Sequence, residues 1–313
     1  MQKRAVFSGV GLLVAVLTGG LSACGAEPAA EPFSVGGLPT LENGIIGGKK
    51  STVRDFPATG VILFTTERAE GMVGSMLCSG TLVAPDVVMA AGHCNLALFV
   101  DTDKPIDYYF STKLDVSDFG PKYSDLPEHT VKVAKLVPHP DFELENVGVG
   151  LRETKDIALL FLEERITDVE PAKIMTREEA ELLKEGADVD IVGYGRRHVF
   201  PLGRRDVGVK YQGPSTIKKV GEFEMQIGSG GGDAHKCHGD SGGPTYMVVG
   251  KGTRRAHTAL IGITSHAFDH SDCWNGGVDT RIDRYLDWIE DTLASGCADG
   301  SRPACPSQSR AGQ

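Results

Sequence analysis

Apolar residues along this chain gather in short runs rather than in long helical stripes. Past residue 45 they fall at Val61–Thr66, Thr81–Val83, Val87–Ala90, Val131–Val137, Ile157–Leu162, Val189–Val192, Thr245–Val249 and Leu260–Thr264, with Gly, Pro and Asp between them. Short apolar and β-branched runs punctuated in this way predict strands. Their number, without helical stretches to connect them, predicts a barrel or sandwich rather than βαβ units. Two segments keep a helical period instead. Thr176 and Glu179 stand at capping-box spacing ahead of Ala180–Lys184. Tyr285, Leu286, Trp288, Ile289, Thr292 and Leu293 recur at helical spacing behind Asp283. The chain after Gly296 is rich in Ser and Pro, so residues 294–313 are expected to form a flexible tail apart from Cys297 and Cys305.

The beginning of the chain follows a different pattern. Lys3 and Arg4 precede an apolar run from Val6 to Leu17, and small residues follow, which is the shape of a secretory signal. It closes on Leu21-Ser22-Ala23-Cys24, which resembles the lipobox of bacterial lipoproteins. That resemblance implies removal of residues 1–23, a lipid on Cys24 and a place in the cell envelope. Ordinary signal cleavage nearby, with Cys24 incidental, and an uncleaved anchor are the alternatives. Residues 24–44 carry Ala, Pro, Gly and Glu without a period and read as a stalk or pro-segment. Setting Cys24 aside leaves six cysteines, an even number in an exported chain, which allows up to three disulfides among 15 pairings.

Composition removes several classes. The 313 residues hold 32 Lys and Arg against 42 Asp and Glu, a net charge of −10, and nothing suggests a nucleic-acid binder, which would need a basic face to neutralise phosphates. A hydrophobic share of 41% excludes wholesale disorder. The 40 glycines follow no Gly-X-Y period, which excludes collagen and fits a turn-rich, mostly β chain. Length permits one or two domains.

Three segments carry candidate chemistry. Ala90-Ala91-Gly92-His93-Cys94 follows a strand-like stretch, Asp156 opens the run Ile157–Leu162, and Cys237-His238-Gly239-Asp240-Ser241-Gly242-Gly243-Pro244 surrounds a serine with glycines. A serine hydroxyl attacks at neutral pH only when an imidazole takes its proton and a carboxylate fixes the imidazole tautomer. The glycines allow a turn sharp enough for the N–H groups of Gly239 and Ser241 to share one oxygen, an oxyanion hole. Taken alone, His93 reads more readily as a packed or surface histidine and Asp156 as a turn residue. The Gly239-Asp-Ser-Gly-Gly243 spacing also fits the nucleophile elbow of α/β-hydrolases. That fold needs the order Ser, acid, His, with a helix after the serine, whereas here both partners precede Ser241 and a strand-like run follows it.

Together, Ile45-Ile-Gly-Gly48, Ala90–Cys94, Asp156-Ile-Ala-Leu-Leu160, Gly193-Tyr-Gly195, Gly239–Pro244 and Tyr285-Leu-Asp-Trp-Ile289 resemble the trypsin/chymotrypsin-like serine proteases over residues 45–293. The resemblance implies two packed six-stranded antiparallel β-barrels with a C-terminal helix and a cleft between the barrels. It assigns His93 as general base, Asp156 as its orienting acid, Ser241 as nucleophile and Ser265 as support for the acid. It pairs Cys78 with Cys94 and Cys237 with Cys273, and leaves Cys297 and Cys305 to close a short tail loop outside its pattern. It implies cleavage before Ile45, whose new α-amino group pairs with Asp240. Gly44 replaces the basic residue of trypsin-activated precursors.

The implied product is a serine endopeptidase for polypeptide substrates, without cofactor or metal, monomeric, and tethered through Cys24 until the protease domain is released. A non-catalytic binding module is the competing class, and the intact His, Asp, Ser and glycine positions argue against it. The substrate pocket is assigned to His235, Ser265, Ala267 and Gly277. Its floor position falls on His235. Asp233, given a two-residue insertion, or Asp279 would favour a basic substrate side chain, and His235 opposes it. His235, His238, His266 and His270 sit on two loops and allow a zinc site, although exposed loop histidines are the plainer reading.

Overall fold

The computed structural model describes residues 45–68, 71–99, 103–120, 125–196, 207–270 and 273–305. The leader, Cys24, the stalk and Gly44 lie outside the described residues. A two-residue β1 (Lys49–Lys50) leads into six strands: β2 (Thr59–Arg68), β3 (Gly71–Ala84), β4 (Val87–Ala90), β5 (Ile106–Ser111), β6 (Thr130–Pro138) and β7 (Ala158–Leu162). They close antiparallel in the order β2-β3-β4-β7-β6-β5, and β5 pairs back on β2. After β8 (Lys173–Ile174) come β9 (Asp188–Gly193), β10 (Tyr211–Val220), β11 (Glu224–Ile227), β12 (Pro244–Val249), β13 (His257–Ala267) and β14 (Gly277–Arg281). These six form a second antiparallel ring, with β9 paired to both β10 and β12. β1 adds to β10, and β8 runs parallel to β13. The two six-stranded barrels and the terminal helix α1 (Leu286–Ala298) match the expected fold class.

Barrel closure removes exposed sheet edges and turns alternate side chains inward. Ile62, Leu82, Met89, Phe110 and Leu160 fill the first barrel, and Ile191, Ile217, Met225, Ile227 and Ile261 the second, all fully buried. Each large apolar side chain so placed contributes about 1.5–3 kcal/mol relative to exposure. The barrels are joined by the first core continuing into Val192, Tyr246, Leu260 and Ile263. Tyr246 stacks on Phe56 with centroids 4.9 Å apart, and its hydroxyl meets Thr59 Oγ1 at 3.0 Å. Buried Lys210 donates from Nζ to the Phe56 and Thr59 carbonyls at 2.6 and 2.8 Å, a polar strut across the same junction.

The capping box forms as expected: Thr176 N donates to Glu179 Oε2 at 2.8 Å and Glu179 N to Thr176 Oγ1 at 3.3 Å. It opens only a single 3₁₀ turn, Glu179–Leu182, because Gly186 at φ +79° ends the segment before an α-helix gains length. The expected flexible tail is corrected for residues 294–305. α1 runs on to Ala298, and Cys297 is bonded to Cys305. Arg302 then enters the first barrel's rim, where its guanidinium donates to both Asp86 oxygens at 3.2 and 2.9 Å. Asp86 is fully buried and also accepts from Ala304 N at 2.9 Å. A buried carboxylate held by a bidentate arginine fixes the segment that composition alone had marked as loose.

Candidate active site

His93 sits in the 3₁₀ turn Gly92–Cys94 that ends β4, and the Cys78–Cys94 bridge ties this turn to β3. Asp156 immediately precedes the segment entering β7, fully buried. Antiparallel pairing of Ala90 with Ala158 brings the two together. His93 N donates to Asp156 Oδ1 at 2.9 Å, and His93 Nδ1 meets Oδ2 at 2.7 Å. From β13, Ser265 Oγ donates to the same Oδ2 at 2.5 Å, and from β14 Thr280 Oγ1 donates to the Asp156 backbone carbonyl at 3.0 Å. Both barrels therefore hold one carboxylate. Donation from Nδ1 leaves the neutral ring's Nε2 with its lone pair.

Electrostatics support that tautomer. Burial works against a charged imidazole, but the Asp156 charge and hydrogen bond outweigh it and leave the His93 pKa raised. Burial also disfavours the Asp156 carboxylate, yet His93, Ser265 and the backbone N–H hold its pKa below the ordinary range. Asp156 therefore stays ionised.

Ser241 lies on the turn before β12. Ser79 N donates to Ser241 O at 2.9 Å, and Ser79 Oγ donates to Gly239 O at 3.0 Å, which docks this turn against β3 of the first barrel. Gly242 takes φ +75°, and a Cβ there would fall 2.5 Å from Ser79 O and 3.1 Å from Ala91 N. The glycine is thus what lets the serine turn approach the chain two residues before His93. Gly239 takes φ +96°, with a Cβ position only 2.9 Å from Gly195 Cα.

Between these two residues Asp240 is fully buried. Its Oδ2 accepts from Cys237 N and its Oδ1 from Gly195 N, both at 2.8 Å. Burial nevertheless pushes its pKa up to about 7. Ile45 and Ile46 are also buried, and Ile46 O accepts from His235 N at 2.9 Å, one residue from the Lys236–Cys237 segment.

A cleft of about 250 Å³ opens beside Ser241, and Ser265, Ala267, Gly277 and the Cys237–Cys273 bridge line it. His235 is not among its lining residues. Its Nε2 reaches Gly230 O at 2.8 Å and its ring stacks on Trp274 at 6.0 Å. Asp233 is taken up by Lys218 at 2.6 Å.

The four histidines do not form a cluster of metal-ligating groups among the described residues. His266 instead meets Ser265 Oγ at 2.9 Å and Gly150 O at 3.0 Å. Among the described residues, the one group close enough to ligate an ion is Cys78, His93 and Cys94, whose sulfurs are joined to each other.

Sequence reasoning missed Lys236. It lines the cleft with a side chain 1% exposed, bonded to Asp279. A lysine among small residues has no periodic cue. Its only signal is adjacency to the cysteine that frames the pocket.

Known proteins resemble the chain in the same region. A family profile described as Trypsin matches residues 45–289. Serine protease ea of Drosophila melanogaster is 26% identical over 285 residues, covering 82% of this chain and 69% of that protein. Human chymotrypsin-like elastase family member 1 is 26% identical over 273 residues, covering 82% and 95%. Phenoloxidase-activating enzyme 1 of Spodoptera litura is 27% identical over 288 residues, covering 86% and 72%.

Proposed function

Because this chain belongs to the trypsin family and is a serine endopeptidase, we propose that it cuts polypeptides through an acyl-enzyme on Ser241. The observation that carries this reading is the His93–Asp156–Ser265 chain of hydrogen bonds, drawn from both barrels beside the cleft that Ser241 lines. In the first step Ser241 Oγ bonds to the scissile carbonyl carbon while His93 Nε2 takes the hydroxyl proton. The N–H groups of Gly239 and Ser241 hold the oxyanion, each lowering the barrier by about 2.7–4 kcal/mol. Collapse breaks the C–N bond, and His93 returns its proton to the leaving amine. Water then attacks the ester by the same path, and Ser241 is regenerated.

Activation follows from the same site. Cleavage of Gly44–Ile45 frees an α-amino group that pairs with Asp240, a carboxyl that burial alone keeps poorly ionised. Breaking a buried pair of this kind by removing one partner costs about 3–5 kcal/mol, enough to disorder the oxyanion turn. Residues 1–23 act as a bacterial lipoprotein-type signal. Cys24 carries the lipid, and cleavage before Ile45 releases an active monomer from the envelope. None of the three disulfides spans that bond.

A fluorophosphonate probe tests the central claim. Protein beginning at Ile45 should label covalently and Ser241→Ala should not; an unlabelled processed protein overturns the mechanism. N-terminal sequencing of active material should begin at Ile45, and any earlier start refutes the activation scheme. Fatty-acid labelling should vanish in Cys24→Ala, and retained label would exclude that anchor.

A further inference from the structure

A buried ion pair backs the cleft beside Ser241. Lys236 and Asp279 are both buried there, with side chains 1% and 0% exposed. Lys236 Nζ donates to Asp279 Oδ1 and Oδ2, both at 2.7 Å, and to Thr245 Oγ1 at 2.6 Å. An ammonium has three hydrogens, so these partners use all of them. Thr245 Oγ1 in turn donates to Asp279 Oδ2 at 2.5 Å, which closes the group into a triangle. The lysine stem passes under Gly277, where an added Cβ would sit 3.5 Å from Lys236 Cβ and 3.7 Å from Cδ. Lys236 therefore forms part of the cleft wall, with Asp279 behind it.

This arrangement changes what the pocket can select. A lone acid at the base would attract a basic substrate side chain, and sequence offered Asp233 and Asp279 for that role. Asp279 is already neutralised by Lys236, and Asp233 by Lys218 at 2.6 Å. A substrate lysine or arginine would exchange water for a wall that carries a cation of like sign. A substrate glutamate or aspartate would have to draw Lys236 off Asp279, leaving a buried carboxylate without its partner. Among the described residues, no other lysine and no arginine or carboxylate lines the cleft: beside Ser241 and Ser265 stand Thr264, Ala267, Gly277, the Cys237–Cys273 bridge and two histidines, His238 and His266, the latter held by Ser265 and Gly150.

We propose that the buried Lys236–Asp279–Thr245 group sets the specificity of this protease, restricting cleavage to bonds that follow uncharged, small to medium side chains such as Ala, Val, Thr and Leu. The proposal rests on the reading of Ser241 as nucleophile. The two are separable, because fluorophosphonate labelling tests Ser241 without a substrate side chain.

The experiment uses protein beginning at Ile45, titrated by that probe. Peptidyl diphenyl phosphonates differing only in the side chain beside phosphorus are compared by their rate of Ser241 modification, alongside kcat/KM on a matching peptide library. Ala, Val or Leu compounds should react at least 30-fold faster than Lys, Arg, Asp or Glu compounds. A Lys236→Met variant, which leaves Asp279 uncompensated, should gain at least tenfold towards Lys and Arg compounds relative to Val. The double variant Lys236→Met, Asp279→Asn removes both charges and should return to the uncharged preference; it also serves if the single variant does not fold. A labelled wild-type enzyme that prefers basic or acidic compounds, or that does not discriminate, overturns the proposal. So does a folded Lys236→Met variant with an unchanged profile.

Discussion

His93 and Asp156 share two hydrogen bonds, and each has a measurable consequence. The ring donates from Nδ1 while the backbone N–H of the same residue binds the other carboxylate oxygen, so rotation and tautomer are fixed together. An amide in place of the carboxylate can present its NH₂ to Nδ1 and stabilise the wrong tautomer. Asp156→Asn should therefore lower kcat by about 10³–10⁴-fold with KM little changed, measured on any cleaved peptide. Ser265→Ala removes one bond to an ionised group and should cost roughly tenfold or more in kcat/KM. The pH profile carries the sign of the His93 shift. Catalysis needs the neutral ring, and Asp156 holds the ring's pKa above its ordinary 6.5, so kcat/KM should rise with pH through a midpoint above that value. In Asp156→Asn the midpoint should fall. A midpoint unmoved by that variant would show that Asp156 does not govern the ring.

Secondary-structure elements divide by how visible they were in the sequence, and the reason is where charge is buried. The eight apolar runs became β2, β3, β4, β6, β7, β9, β12 and β13, because an uninterrupted apolar stretch has few places to go but a core. β5, where Asp107 interrupts the apolar run, and β10, β11 and β14 were not legible. β10 carries Gly213 and Pro214 and two lysines, β11 holds buried Glu224, and β14 holds buried Asp279 and Arg281. Distant groups meet these charges: Thr154 Oγ1 and Arg152 N meet Glu224, and the Gly221 carbonyl meets Arg281, which also pairs with nearby Asp283. A residue that reads as solvated until its partner is known inverts the apolar pattern. The catalytic motifs were legible because their chemistry demands local spacing, whereas the Lys236–Asp279 pair joins residues 43 apart. The tail shows the same effect, since Arg302 and Asp86 stand 216 residues apart. At this scale Arg302→Met should destabilise the protein by about 3–5 kcal/mol in urea unfolding, because Asp86 is left charged and buried. Adding Asp86→Asn should recover a large part of that loss. Equal stability of the single variant and wild type would mean the pair holds nothing.

Across the whole molecule the serine turn is anchored on buried Asp240, whose carboxyl accepts N–H groups from Gly195, just past β9, and from Cys237. In the uncleaved chain burial pushes this carboxyl's folded pKa up to about 7 against 3.8 ordinarily. A raised folded pKa means that the folded state retains the proton. The associated stability is present below pH 3.8 and lost as pH rises towards 7, by up to about 4 kcal/mol. The uncleaved precursor should accordingly lose thermal stability over that interval relative to its own Asp240→Asn variant. The form beginning at Ile45 should show no such relative loss, and identical slopes in both forms would refute the coupling. Distance along the chain also has a consequence in time. Arg302 is made 216 residues after Asp86, so a growing polypeptide has no counter-ion for the first barrel's rim until Arg302 emerges. Completion of the first-made barrel is thereby deferred until every strand of the second has been made, and a molecule cut short before Arg302 would lack the clasp that closes it.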